Sequence, residues 1–168
     1  MTSLVYISLA VFVSYLIYVI CLFGIPYSIS ETYYLLEKKY PHKGLKYLFT
    51  AFCWGAGFSL LPMLLETTPD SHTAIAFFAV AALLFIGAAP RFNEKMEGMV
   101  HYVSAGICVG MAQLWCLLVA HTWYISLPAF IIFCSIPFFS KKKKWIFWIE
   151  IAALSATYLS LLFHLNSI

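Results

Sequence analysis

The sequence predicts an all-α fold: a polytopic transmembrane bundle of six helices, both termini outside, with a short interfacial helix after span one. Three observations predict it: an extreme apolar composition, six apolar runs near membrane length, and confinement of every Lys and Arg to three loops. Of 168 residues, 63% are hydrophobic and 10% charged, with a mean hydropathy of +0.90. A soluble domain carries about 25% charged and about 45–50% apolar residues. So few charges cannot solvate a globular surface. This excludes a soluble domain, a disordered chain and a nucleic-acid binder working through a basic face. Residues 1–168 read as a single transmembrane domain, too short to add a separate soluble one.

A membrane-crossing helix needs about 20 mostly apolar residues. Six runs approach this: Leu4–Ile25, Leu45–Leu65, Thr73–Ala89, Met99–Ala120, Trp123–Phe139 and Trp145–Leu165. The third and fifth are short. The N-terminus lacks a basic n-region and its apolar run is too long for a signal h-region, so it is expected to stay as the first span. Trp123, Trp145 and Trp148 fit an aromatic belt at the span ends.

The basic residues order these spans. Lys38, Lys39, Lys43 and Lys46 lie between or beside spans one and two, Arg91 and Lys95 between three and four, and Lys141 to Lys144 between five and six. By the positive-inside rule these loops are cytoplasmic and both termini are periplasmic or extracellular. The anionic inner leaflet also attracts the four-lysine run.

Local signals refine the picture. Pro26 is expected to end or interrupt span one. Ser28-Ile29-Ser30-Glu31 fits a capping box, followed by an interfacial helix over Thr32–Lys39. Asn93 fits an N-cap for span four, with Glu94 and Glu97 in its first turns, and Thr68-Pro69-Asp70-Ser71 a turn starting span three. Ala51, Gly55 and Ser59 on span two, and Gly106 and Gly110 on span four, suit close helix packing, expected to be internal. Pro62, Pro128 and Pro137 are possible helix breaks. Cys21, Cys53, Cys108, Cys116 and Cys134 lie in apolar runs without CxxC spacing and read as packing residues.

Polar residues within spans are costly and need a partner or a wet space. Glu150, roughly 9 Å along a helix from Lys144, is the one acid inside a predicted span. Glu150, Ala153, Thr157, Ser160 and His164 share a stripe of roughly 80°. His101, Ser104, Ala105, Cys108, Ala112 and Trp115 share a face of span four, and Ser14, Tyr18, Cys21 and Ser28 one of span one. If the three faces meet, they line a polar crevice open to the cytoplasm. The candidate ligand-binding residues are Ser28, Glu31, Arg91, Glu97, His101, Ser104, Glu150 and Thr157. His101 and Glu150 are the catalytic candidates, with Glu150 or Glu97 orienting the imidazole, and Arg91 suits an anionic headgroup. Structural roles suit the same residues: Glu31 as a cap, Glu94 and Glu97 at a helix N-terminus, Arg91 as an interfacial anchor, and Glu150 paired with His101 or Arg91.

Glu66, Asp70, His72, His121 and His164 fall on the opposite side. They are chemically suited to zinc, but no HxxxH or HExxH spacing supports a site. The histidines at span ends read first as interfacial polar residues, with His72, His121 and His164 as the metal candidates. There is no Gly-rich phosphate loop or GxSxG elbow, and no motif names a cofactor.

The stretches Ser28-Ile29-Ser30-Glu31-Thr32-Tyr33-Tyr34, Leu60-Leu61-Pro62, Gly87-Ala88-Ala89-Pro90-Arg91-Phe92 and His101-Tyr102-Val103-Ser104-Ala105 resemble those of an uncharacterised family of small six-span bacterial membrane proteins. The resemblance spans nearly the whole chain. It implies a bacterial inner-membrane location, and no known activity or catalytic residue. The expected function is binding or moving a lipid or small amphiphile through the crevice. The alternatives are an intramembrane enzyme acting on a lipid or lipid-linked substrate through His101 and Glu150, and a pore-forming or membrane-perturbing partner in a phage or defence system. The expected partners are the bilayer, a lipid or small amphiphile, and a second copy or another membrane protein; no nucleic acid is expected.

Overall fold

Apolar runs without internal charge fold as helices because buried or lipid-facing backbone must satisfy its own hydrogen bonds. In a computed structural model, which describes residues 2–140 and 143–166, the described residues form seven α-helices: α1 (Thr2–Phe23), α2 (Thr32–Lys39), α3 (Leu48–Glu66), α4 (Thr73–Ala88), α5 (Lys95–Leu118), α6 (Trp123–Phe139) and α7 (Trp145–Leu165). Short 3-10 turns, Leu45–Tyr47 and Asp70–His72, lead into α3 and α4. Five segments are long and apolar enough to cross a membrane, built on α1, α3, α4, α5 and α7. At 17 residues α6 is apolar but shorter, about 26 Å at 1.5 Å per residue. The predicted Lys141 and Lys142 lie outside the described residues.

Several boundaries differ from expectation. Gly24, not Pro26, ends α1: its φ is +68°, a conformation cheap only for glycine, and its N–H closes on the Ile20 carbonyl at 2.8 Å. The capping box forms one residue out of register. The Ser28 hydroxyl accepts from the Glu31 N–H at 3.1 Å, but the Glu31 carboxylate reaches back to the Tyr27 N–H at 2.6 Å rather than to that of Ser28. A turn over residues 29–31 precedes α2, so these bonds shape the approach to the helix. Glu94, with extended backbone, takes the N-cap place of α5, and the Asn93 N–H donates to the Tyr34 hydroxyl instead. Pro62, Pro128 and Pro137 lie within continuous α3 and α6.

The helices pack as a ring. α1 meets α3, α3 meets α4, α4 meets α5, α5 meets α7, and α7 returns to α1; α6 lies against α7. Close approach is built on glycines other than those expected. A Cβ on Gly87 would stand 2.7 Å from the Cys53 Cβ, and one on Gly57 would stand 2.9 Å from Leu84. Gly55 faces Val11 of α1, while Ala51 is exposed. Gly106 and Gly110 face outward with no atom within 4 Å of a built Cβ, correcting their expected internal role. Gly87→Ala is expected to force α3 and α4 apart and cost about 1–3 kcal/mol. Thermal melting of the purified protein checks this; an unchanged midpoint would remove Gly87 from the packing account.

Polar side chains tie the ring together. The Ser8 hydroxyl donates to the Ala56 carbonyl at 2.8 Å and shares a 2.6 Å bond with the Tyr158 hydroxyl, joining α1, α3 and α7. Trp115 Nε1 donates to Thr68 Oγ1 at 2.7 Å. The predicted polar face of span one corrects to an outer one: Ser14, Tyr18 and Cys21 are exposed, while Ser8 and Tyr15 turn inward.

Candidate functional site

The segment joining α1 to α2 is clasped onto the first turns of α7. The Phe147 N–H donates to the Tyr27 carbonyl at 3.0 Å, satisfying one of the N–H groups that a helix start leaves open. Lys144 Nζ donates to the Ile25 carbonyl, and the Ile29 N–H donates to Glu150 Oε2 at 2.6 Å. These three bonds set Ser28, Ser30 and Glu31 beside Glu150. Glu150 therefore holds a backbone amide; neither His101 nor Arg91 is its partner.

His101, on α5, is buried. Its Nδ1 lies 2.9 Å from the Ala89 carbonyl and its Nε2 2.9 Å from Ser30 Oγ. A carbonyl only accepts, so Nδ1 carries the proton, and in the neutral ring Nε2 accepts from the Ser30 hydroxyl. The expected orientation of His101 by Glu150 or Glu97 is thus replaced by Ser30 and Ala89. Glu97 instead binds the Arg91 guanidinium and backbone N–H. That hydrogen bond holds the Arg91 pKa above its ordinary value, but Arg91 is exposed.

Three adjoining cavities run inward from this end of the ring. The mouth, about 310 Å³, is lined by Ser28, Glu31, Tyr34, Phe92, His101 and Tyr102 among others. It shares Ser30, Ala105 and Glu150 with an inner cavity of about 80 Å³, walled mainly by apolar groups such as Phe49, Phe52, Leu83 and Ile86. Thr157, Cys108 and Ala112 lie between that chamber and a third of about 40 Å³, which ends at Trp115. A single water needs about 10–15 Å³ of such space, so each of the three has room for more than one water.

The structure brings Ser28, Glu31, His101, Glu150 and Thr157 onto these walls. Ser104 is buried, and Ala105 rather than Ser104 lines the neck. Arg91 and Glu97 are absent from the described lining. The faces of α5 and α7 meet as expected, whereas the third wall comes from the 27–31 turn, α3 and α4 rather than from α1. Sequence reasoning missed Tyr34, Phe92 and Gly98. A Cβ on Gly98 would stand 2.4 Å from the Phe92 carbonyl oxygen, so only glycine lets α5 start against that loop. Its signal is a glycine in a helix near its start, where it costs about 1 kcal/mol against alanine.

On the opposite side, no group of three His, Cys, Asp or Glu among the described residues is placed to hold a metal. His72 bonds Ser71, His164 packs edge-on against Trp115, and His121 takes a positive φ in the α5–α6 turn.

The fold and site describe an all-helical protein with several helices long and apolar enough to cross a membrane. No protein-family model, no curated protein and no solved structure matches the chain.

Proposed function

We propose that the chain is a six-span protein of a bacterial inner membrane. Its lysine-bearing loops are cytoplasmic and its termini periplasmic or extracellular, with α2 lying on the inner leaflet. We infer that it binds or moves a lipid or small amphiphile through the crevice between α3, α4, α5 and α7. The observation that carries this is the order of the cavities: a mouth where Ser28, Glu31, Asn93 and His101 stand among aromatic rings, a neck at Ser30, Ala105 and Glu150, then an almost wholly apolar interior. That sequence matches a molecule with a polar head and an apolar body. Ligand sites share this build, mostly apolar walls with a few placed polar groups. The enzyme alternative expected His101 to be oriented by Glu150 or Glu97; His101 instead bonds Ser30 and the Ala89 carbonyl, and no carboxylate. A pore needs a continuous polar lane, and the inner walls are apolar.

Native mass spectrometry of the full chain released from lipid nanodiscs tests the proposal. A bound amphiphile of defined mass, surviving delipidation that strips annular lipid, is the expected result. A bare chain throughout a graded detergent series would sink it.

A further inference from the structure

The mouth has a definite electrostatic character. Glu31 and Glu150 both line it, and no Lys or Arg does so among the described residues. Glu150 Oε2 takes the Ile29 N–H, and the ion pairs among the described residues, Lys46–Glu37 and Arg91–Glu97, do not include Glu150. Arg91 pairs with Glu97 and Lys46 with Glu37, Lys144 donates to the Ile25 carbonyl, and none of the three lines the cavities. A carboxylate set in an apolar wall is costly unless it is protonated or met by a positive charge. His101 is engaged by the Ala89 carbonyl and the Ser30 hydroxyl and bonds neither carboxylate.

Aromatic rings complete the wall. Phe92 sits at the centre, with Tyr34 5.0 Å away and nearly perpendicular, His101 at 5.1 Å and Tyr102 at 6.0 Å. Ring faces attract cations, most strongly where water is excluded. An anionic headgroup would meet two carboxylates and no countercharge here. A neutral one would leave Glu150 as it is.

We propose that the crevice takes a lipophilic organic cation, a quaternary or protonated amine with an apolar chain or ring. Glu150 serves as its counter-ion, Tyr34, Phe92 and Tyr102 as the aromatic wall, and the inner cavity receives its apolar body. The proposal rests on the amphiphile reading and names the chemical class. Protons compete with the cation for Glu150, so binding weakens as pH falls. The other titratable groups facing the cavities are Tyr27, Glu31 and Tyr34 on the α1–α2 side, Cys53 on α3, and His101, Tyr102 and Cys108 on α5; α4 contributes none. Protonation of Glu31 or His101 acts in the same direction. A Glu150→Gln variant therefore separates the Glu150 contribution from theirs.

The test is equilibrium dialysis of the full chain in nanodiscs of zwitterionic lipid, corrected with empty nanodiscs. Three probes share one tail: decyltrimethylammonium, decanol and decyl phosphate. Saturable binding of the ammonium probe, at least about tenfold tighter than that of the other two, is expected. Glu150→Gln should weaken it about tenfold or more and leave decanol unchanged, since glutamine keeps an acceptor for the Ile29 N–H. Tyr102→Leu, at an exposed position, tests the wall without a folding risk and should weaken the ammonium probe about threefold or more. Equal binding of all three probes, preference for decyl phosphate, or indifference to both substitutions overturns the cation assignment while the amphiphile crevice stands. If no probe saturates, both proposals fall.

Discussion

Ala105→Trp is expected to remove saturable amphiphile binding, by at least about tenfold or roughly 1.4 kcal/mol, while the protein still folds. Ala105 lines both the mouth and the inner cavity. An indole at that position enters space that is now unfilled rather than space held by other side chains. Overpacking normally costs about 1–3 kcal/mol because neighbours must move; a neck with free volume on both sides keeps the effect at the low end. Ala105→Ser, which leaves the neck open, serves as the control. Binding that survives the tryptophan would mean that the ligand never passes the neck. Loss of binding together with a collapsed melting profile would show only damage to the fold.

The second large effect is on stability. His101→Phe preserves ring size but strands two buried groups, the Ser30 hydroxyl and the Ala89 carbonyl, which His101 now pairs. Each orphaned buried polar group costs about 1–3 kcal/mol, so a total of about 2–6 kcal/mol is expected. Buried Cys53 and Cys116 offer the readout: a thiol-reactive fluorophore labels them as the bundle opens on heating. His101→Gln, whose amide replaces one of the two bonds, should recover part of the loss. A phenylalanine variant that melts like the parent would show that neither bond matters to the fold.

What the sequence revealed of the molecule follows from where the physics lies in side chains. The apolar runs behind α1, α3, α4, α5 and α7 were legible because crossing length is a property of composition. The inward stripe of α7 was legible because an acid in a span demands an interior place. The face of α1 was not. Ser14 bonds the carbonyl of Ala10 in its own helix, so it points outward at little cost, and nothing in the residue types separates it from inward Ser8. Glycines mislead for a similar reason: spacing alone does not say whether Gly106 and Gly110 or Gly57 and Gly87 meet a neighbour. The clasp of residues 25–29 on α7 was illegible because backbone carbonyls and an amide carry much of it, and every residue type has those.

That clasp also fixes when the site comes into being. Tyr27 and Phe147, and Ile29 and Glu150, meet across most of the chain, so the second partner of each pair is synthesised long after the first. Until α7 emerges and docks, the neck lacks Glu150 and the α1–α2 connection has nothing to hold it. A nascent chain arrested after α6 would have an open wall and no ligand site. Because a ligand stabilises only the state that binds it, occupancy of the crevice favours the docked last helix.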